Sequence, residues 1–194
     1  MSNDSYKSES ICAISSPPGI GGVSLIRISG PDSFSIVEKI FSKSLKHTSG
    51  YQVLYGKIIE KKQIIDDVIV AVFKNPHSFT GENTVEINCH GSTFIQQKII
   101  ELLINNGARL ALPGEFSKRA FLNGKLDLSQ TEAIADLINS KSSAAHEIAI
   151  KQLKWGISSE LKVLRNKLIE FASLIELELD FSEEDVEFAD RKHL

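Results

Sequence analysis

The chain has 194 residues, 42% of them hydrophobic and 24% charged, values that exclude wholesale disorder. Its 22 Lys and Arg against 25 Asp and Glu leave a formal charge of −3, which excludes a protein that coats nucleic-acid phosphates through a net basic face. Two cysteines, Cys12 and Cys89, are too few for a disulfide scaffold. Both sit among apolar residues that suit reduced thiols. Residues 1–10 are polar and lack the apolar segment of a secretory signal. No apolar run reaches the roughly 18–20 residues of a membrane span. These features predict a soluble cytoplasmic protein that makes no use of a membrane.

Residues 11–125 read as mixed α and β. Ile11–Ser16 is a strand candidate, ended by Pro17-Pro18-Gly19-Ile20-Gly21-Gly22. Val23–Ser29 reads as a second strand. Pro31 and Asp32 open a helix whose apolar positions Phe34, Val37, Ile40 and Phe41 share a face. Tyr51–Ile59 and Ile64–Phe73 flank the polar turn Lys61-Lys62-Gln63 and predict a hairpin. Residues 75–83 read as a loop before a strand over Thr84–Cys89. A helix over Thr93–Asn106 stops at Gly107, and Arg109–Leu112 is one more short strand. After Asp127 the character changes: residues 128–180 hold no Pro and one Gly. Leu153, Ile157, Leu161, Leu164, Leu168, Phe171 and Ile175 recur at helical spacing and predict a long amphipathic helix. Such a helix needs partners, so residues 127–194 read as an incomplete helical bundle.

Several motif readings fail on context. The glycine run at 19–22 is followed by a strand, whereas a dinucleotide fingerprint opens a helix. It is either a tight strand connection or a loop that lets backbone approach a ligand or another chain. Gly124-Lys125 and Gly56-Lys57 are followed by Leu126 and Ile58, so neither is a phosphate-binding P-loop. The chain is therefore not expected to hydrolyse GTP or ATP, and no catalytic residue is assigned. His47, His77, His90, His146 and His193 are scattered, with only Cys89-His90 adjacent, and no metal site is expected. Arg27 and Glu86 each interrupt an apolar strand. Each either faces solvent by period-two alternation or contacts a ligand. Lys125 lies at the junction of the two halves and by default is exposed.

Three groups of residues resemble the MnmE/TrmE family of tRNA-modification GTPases. They are Pro17–Val23 with Arg27-Ile28-Ser29-Gly30; Ser78-Phe79-Thr80-Gly81-Glu82 with Val85-Glu86 and His90-Gly91; and Pro113-Gly114-Glu115-Phe116-Ser117 through Arg119 to Leu128, continuing into Gln130–Ile138. Ile20 and Ser92 depart from the family pattern, which commonly has Arg and Gly there. The resemblance implies an α+β fold. Residues 1–126 would form a mixed α/β, folate-binding and dimerisation domain similar to the tetrahydrofolate-binding domain of glycine-cleavage T proteins. Residues 127–194 would form the first part of a helical domain, cut off before a GTPase domain.

The resemblance further implies aminomethyl-type modification at carbon 5 of the tRNA wobble uridine, with an FAD-containing MnmG/GidA-type partner. The one-carbon donor would be 5-formyl- or methylenetetrahydrofolate, contacted by Arg27, Glu86 and Lys125. GTP, Mg²⁺ and a monovalent cation such as K⁺ would belong to the absent GTPase domain. A carboxylate can accept a pterin's adjacent N–H and amine, while a cation pairs with the carboxylate tail. An unliganded Glu86 is then expected to be a mildly unfavourable pocket charge. Two other readings remain: a structural dimerisation module without folate binding, and a stand-alone folate-dependent transferase.

Overall fold

The computed structural model describes residues 9–45, 50–155 and 158–180. The chain divides into two compact units, Met1–Leu126 and Asp127–Leu194. The first is a mixed α/β unit. It runs β1 (Ile11–Ile14), β2 (Gly21–Ser29), α1 (Ser33–Glu38), β3 (Gln52–Glu60), β4 (Gln63–Phe73), β5 (Thr84–Gly91), α2 (Thr93–Asn105), β6 (Arg109–Leu110) and α3 (Glu115–Leu122). The strands form one sheet in the order β3-β4-β5-β2-β1-β6. Every pairing is antiparallel except β1 with β6.

Alternation along the strands sorts the side chains to two faces. Ile26 and Ile28 of β2, Val85 and Ile87 of β5, and Val68, Val70 and Val72 of β4 are buried. They join Ile36 and Val37 of α1 and Ile99, Leu102 and Leu103 of α2 in one core. Leu25, Arg27, Ala71, Glu86 and Asn88 alternate with them and are half-buried, so they occupy the opposite face. Both cysteines are free and buried. Burial pushes each thiol up to about 11, with Asp66 adding to the effect at Cys89.

The first unit departs from the sequence expectations at three places. The first helix stops at Glu38 because the next residues pair with β3: Ile59 N–H donates to Ile40 O at 2.8 Å, and Ser42 N–H to Lys57 O at 2.9 Å. Ile40 and Phe41 are still buried, now as part of this pairing. β2 starts at Gly21, inside the glycine run, where Gly21 pairs with Gly91 of β5. A Cβ on Gly91 would lie 2.4 Å from Gly21 O, so this close approach requires glycine. The eight-residue α3 was not anticipated. It starts after Gly114, whose φ of 71° ends the preceding chain direction.

The second unit is helical among its described residues: α4 (Leu128–Asn139), α5 (Ser143–Trp155) and α6 (Ser158–Asp180). A capping box opens α4, with Asp127 accepting from Gln130 N–H at 2.8 Å and Gln130 Oε1 accepting from Asp127 N–H at 2.9 Å. Small residues Ala133 and Ala149 are buried where α4 and α5 pair. The single long helix expected over 153–175 is divided between α5 and α6, and Ile157 lies outside the described residues. Leu161, Leu164 and Leu168 of α6 are about half-exposed. Among the described residues no helix is long and apolar enough to cross a membrane.

Gly91→Ala should destabilise the first unit by about 2–4 kcal/mol, because the new methyl meets backbone, which cannot rotate away. A thermal melt unchanged from wild type would contradict the close approach.

Candidate functional site

The β2–β5 register places Arg27 directly opposite Glu86 on the face away from the core. Arg27 Nε donates to Glu86 Oε1 at 2.9 Å, and Nη2 reaches the same oxygen at 2.7 Å. Among the described residues Oε2 receives no hydrogen bond. Both side chains keep 21% of their exposure. The Arg27 guanidinium lies over the rings of Phe79 and Phe116, 5.2 Å and 5.6 Å from their centres, a cation in reach of two aromatic rings. Glu86 is therefore paired within the protein, which corrects the expectation of a lone, unfavourable carboxylate: the cross-strand arginine neutralises it.

Phe79 belongs to the loop before β5. Ser78 Oγ donates to Glu82 O at 2.6 Å, and Gly81, with φ of 77°, turns the chain between them. A Cβ on Gly81 would touch Asn123 Cβ at 3.1 Å and Lys125 Cγ at 3.2 Å. Lys125 thus crosses the loop two residues from Phe79, with its side chain exposed. No direct contact joins Lys125 to Arg27 or Glu86 among the described residues. Arg27 and Glu86 converge; Lys125 borders them through the loop. On the same loop, a polar cleft of about 390 Å³ is lined by Pro31, Asn75, Gly81, Glu82, Asn83 and Asn123.

Phe116 belongs to α3, which a buried ionic network holds. Glu115 accepts from Arg109 Nη2 at 2.7 Å and Nη1 at 2.8 Å, from Leu112 N–H at 2.7 Å and from Arg119 at 3.2 Å. Arg119 Nη1 also reaches both oxygens of Glu82 at 3.2 Å and Glu9 O at 2.9 Å. Arg109 first, with the Leu112 N–H and Arg119 behind it, holds the Glu115 carboxyl down from 4.5 to about 2. Sequence reading missed Phe79, Phe116 and this network as parts of the site. The usable signal was local: Glu115 and Arg119 stand four apart after Pro113-Gly114, a helix start with an internal ion pair.

His90 Nδ1 lies 2.6 Å from Asp66 Oδ1. Among the described residues no three His, Cys, Asp or Glu side chains gather in a way that could hold a metal.

Residues 10–125 match the family described as GTP-binding protein TrmE N-terminus, and residues 128–194 match the MnmE helical domain. The chain belongs to the MnmE/TrmE family. It is 56% identical over 191 residues to the tRNA modification GTPase MnmE of Parabacteroides distasonis, covering 95% of this chain and 41% of that protein. The MnmE of Cytophaga hutchinsonii is 54% identical over 187 residues, covering 96% of this chain and 41% of that protein. The MnmE of Flavobacterium johnsoniae is also 54% identical over 187 residues, covering 94% and 40%. The chain thus spans about two fifths of the length of the curated relatives it matches. The two matched family segments meet where the two compact units meet, between residues 125 and 128.

The depressed Glu115 carboxyl makes a pH prediction. Its stabilising contribution is fully present above about pH 4.5, where the unfolded side chain is ionised, and is lost as pH falls toward about 2. Glu115→Gln should lower stability at neutral pH by about 2–3 kcal/mol and flatten the acid limb of the unfolding profile. Denaturant melts between pH 2 and 7 measure both effects, and an unchanged acid limb would reject the assignment.

Proposed function

We propose that the first unit binds a reduced folate, 5-formyl- or methylenetetrahydrofolate, on the open face of its sheet, through Arg27, Glu86 and Lys125. The observation that carries this reading is the Glu86 carboxylate. It is oriented through one oxygen by Arg27, itself lying over two aromatic rings, and has its other oxygen unclaimed among the described residues. A pterin offers adjacent N–H donors to such a carboxylate and a flat face to the rings. Lys125, exposed across the Phe79 loop, suits the carboxylate tail. The donor set therefore fits the cofactor, which when bound supplies the one-carbon unit. The protein's own part is to hold and orient the ring. In this reading the domain is the counterpart of the folate-binding domain of glycine-cleavage T proteins.

The parent protein is proposed to be a tRNA-modification GTPase of the cytoplasm. It would act at carbon 5 of the wobble uridine with an FAD-containing MnmG/GidA-type partner, and use GTP, Mg²⁺ and a monovalent cation in a further domain. The first unit is also proposed to form a homodimer through the glycine run and β1. Ile20 and Val23 at that run are 87% and 76% exposed, an apolar surface that suits a two-fold partner.

Calorimetric titration with 5-formyltetrahydrofolate tests the site. Glu86→Gln should weaken binding by about 2–4 kcal/mol, on the order of 30- to 1,000-fold, because an amide donor then faces the ligand's own donors. Lys125→Ala should weaken it less, since an exposed ammonium is well hydrated before the ligand arrives. Wild-type affinity in Glu86→Gln would show Glu86 to be a strand residue without a ligand role. Light scattering at micromolar concentration should give a dimer; a clean monomer would reject the assembly.

A further inference from the structure

Arg27 lies over two rings that come from segments far apart in sequence: Phe79 from the loop before β5 and Phe116 from α3. Neither segment belongs to the sheet that carries Arg27 and Glu86. What fixes each of them against the other is on the far side of α3 from the solvent. Arg119 stands three residues after Phe116 and is 2% exposed. Its guanidinium joins Glu115 beside Phe116 to Glu82, three residues beyond Phe79. A second tie lies one turn on, where Asn123 Nδ2 donates to Thr80 O at 2.8 Å. Loop and helix are thus stapled on both sides of Gly81, the residue packed against Lys125.

Removing one partner of this joint costs stability, but the joint as a whole gains little over apolar packing. Arg119 Nε is buried with no hydrogen-bond partner, so the side chain is desolvated without full compensation. With Arg119 and Glu115 almost wholly out of water and Glu82 largely so, desolvation offsets most of the attraction, and an apolar cluster of equal volume would hold α3 as well. What the planar fork adds is geometry. Its two separated nitrogens span two carboxylates and the Glu9 carbonyl in one fixed plane, which the single nitrogen of an ammonium does not reproduce.

We propose that Arg119 is a positioning residue of the Arg27–Glu86 site: by bridging Glu82 and Glu115 it holds Phe79 and Phe116 on Arg27 and so keeps Glu86 aimed at a ligand. The ligand limb of this inference rests on the folate reading above; the structural limb does not.

The test uses the 194-residue chain and Arg119→Lys, which keeps the charge but not the fork. Without ligand, amide exchange followed by mass spectrometry should speed up by about tenfold or more across residues 78–83 and 115–123, with β4 and β5 unchanged. Binding of 5-formyltetrahydrofolate should weaken by about ten- to hundredfold while the melting midpoint shifts little. Phe116→Leu supplies the discriminating readout. If Arg119 acts through the rings, its substitution should cost far less affinity in a Phe116→Leu background than in wild type. Additive losses, or faster exchange spread evenly over the sheet, would make Arg119 merely structural and overturn the proposal. Should Arg119→Lys fail to fold, Glu82→Gln weakens the same bridge while Arg119 keeps its Glu115 contact, and the same exchange pattern is expected. A wild-type chain that takes up no 5-formyltetrahydrofolate would overturn the folate reading, and the exchange pattern alone then decides the role of Arg119.

Discussion

Arg27 and Glu86 meet because β2 and β5 pair in one register, with Ile26 opposite Ile87 and Ile28 opposite Val85 on the buried face. The core enforces that register. A one-residue slip of β2 would turn Ile26 and Ile28 to the open face and bury Arg27, and the same slip of β5 would expose Val85 and Ile87 and bury Glu86. The candidate site is thus set by hydrophobic burial on the other side of the same strands. Glycine at 21 and 91 lets the two strands approach at the far end of the pairing, where a Cβ on Gly91 would strike the Gly21 backbone. Loop 78–83, α3 and the Lys125 side chain then attach to a platform whose alignment is already fixed.

The open face carries a second level of order that is electrostatic. Ser29, Thr80 and Thr84 share buried hydroxyl hydrogen bonds beneath the loop, and Ser29 also donates to Glu82 at 2.8 Å. Glu82 therefore links the end of β2 to Arg119, and Arg119 links it to Glu115 and Arg109. This chain of contacts ties together β2, the loop, α3 and β6, the pieces that surround the aromatic pair. Buried ion pairs contribute little net stability but tolerate few alternative geometries, which suits a frame whose task is to keep two rings in place.

The helical unit obeys simpler rules. The capping box at Asp127 and Gln130 starts α4 one residue after the α/β unit ends. Side-chain amides then hold the hairpin: Gln130 Nε2 donates to Leu153 O at 2.9 Å and Gln152 Nε2 to Ser129 O at 3.3 Å. The half-exposed leucines of α6 are the apolar stripe of a helix that shares its unit with only two other helices among the described residues.

Much of this was legible in the sequence, because the signals were local. Alternation marked the hairpin of β3 and β4, β5 and the two in-strand charges. Apolar spacing and a terminal glycine marked α2, and the loss of Pro and Gly after Asp127 marked the helical segment. The family motifs singled out Arg27, Glu86 and Lys125 as a group. Local signals failed where a distant partner decided the outcome: α1 ends early because residues 40–42 pair with β3, and the strand reaches into the glycine run because Gly91 lies beside it. The pairing of Arg27 with Glu86 spans 59 residues and the Arg119–Glu82 contact spans 37. Periodicity says which face a side chain occupies, but not which side chain meets it across the sheet. That is settled only when burial of the apolar face selects one register. The sequence by itself determined most of the elements and singled out Arg27, Glu86 and Lys125, while the tertiary structure alone decided that α3 forms and that Glu86 is held by an arginine lying over two rings.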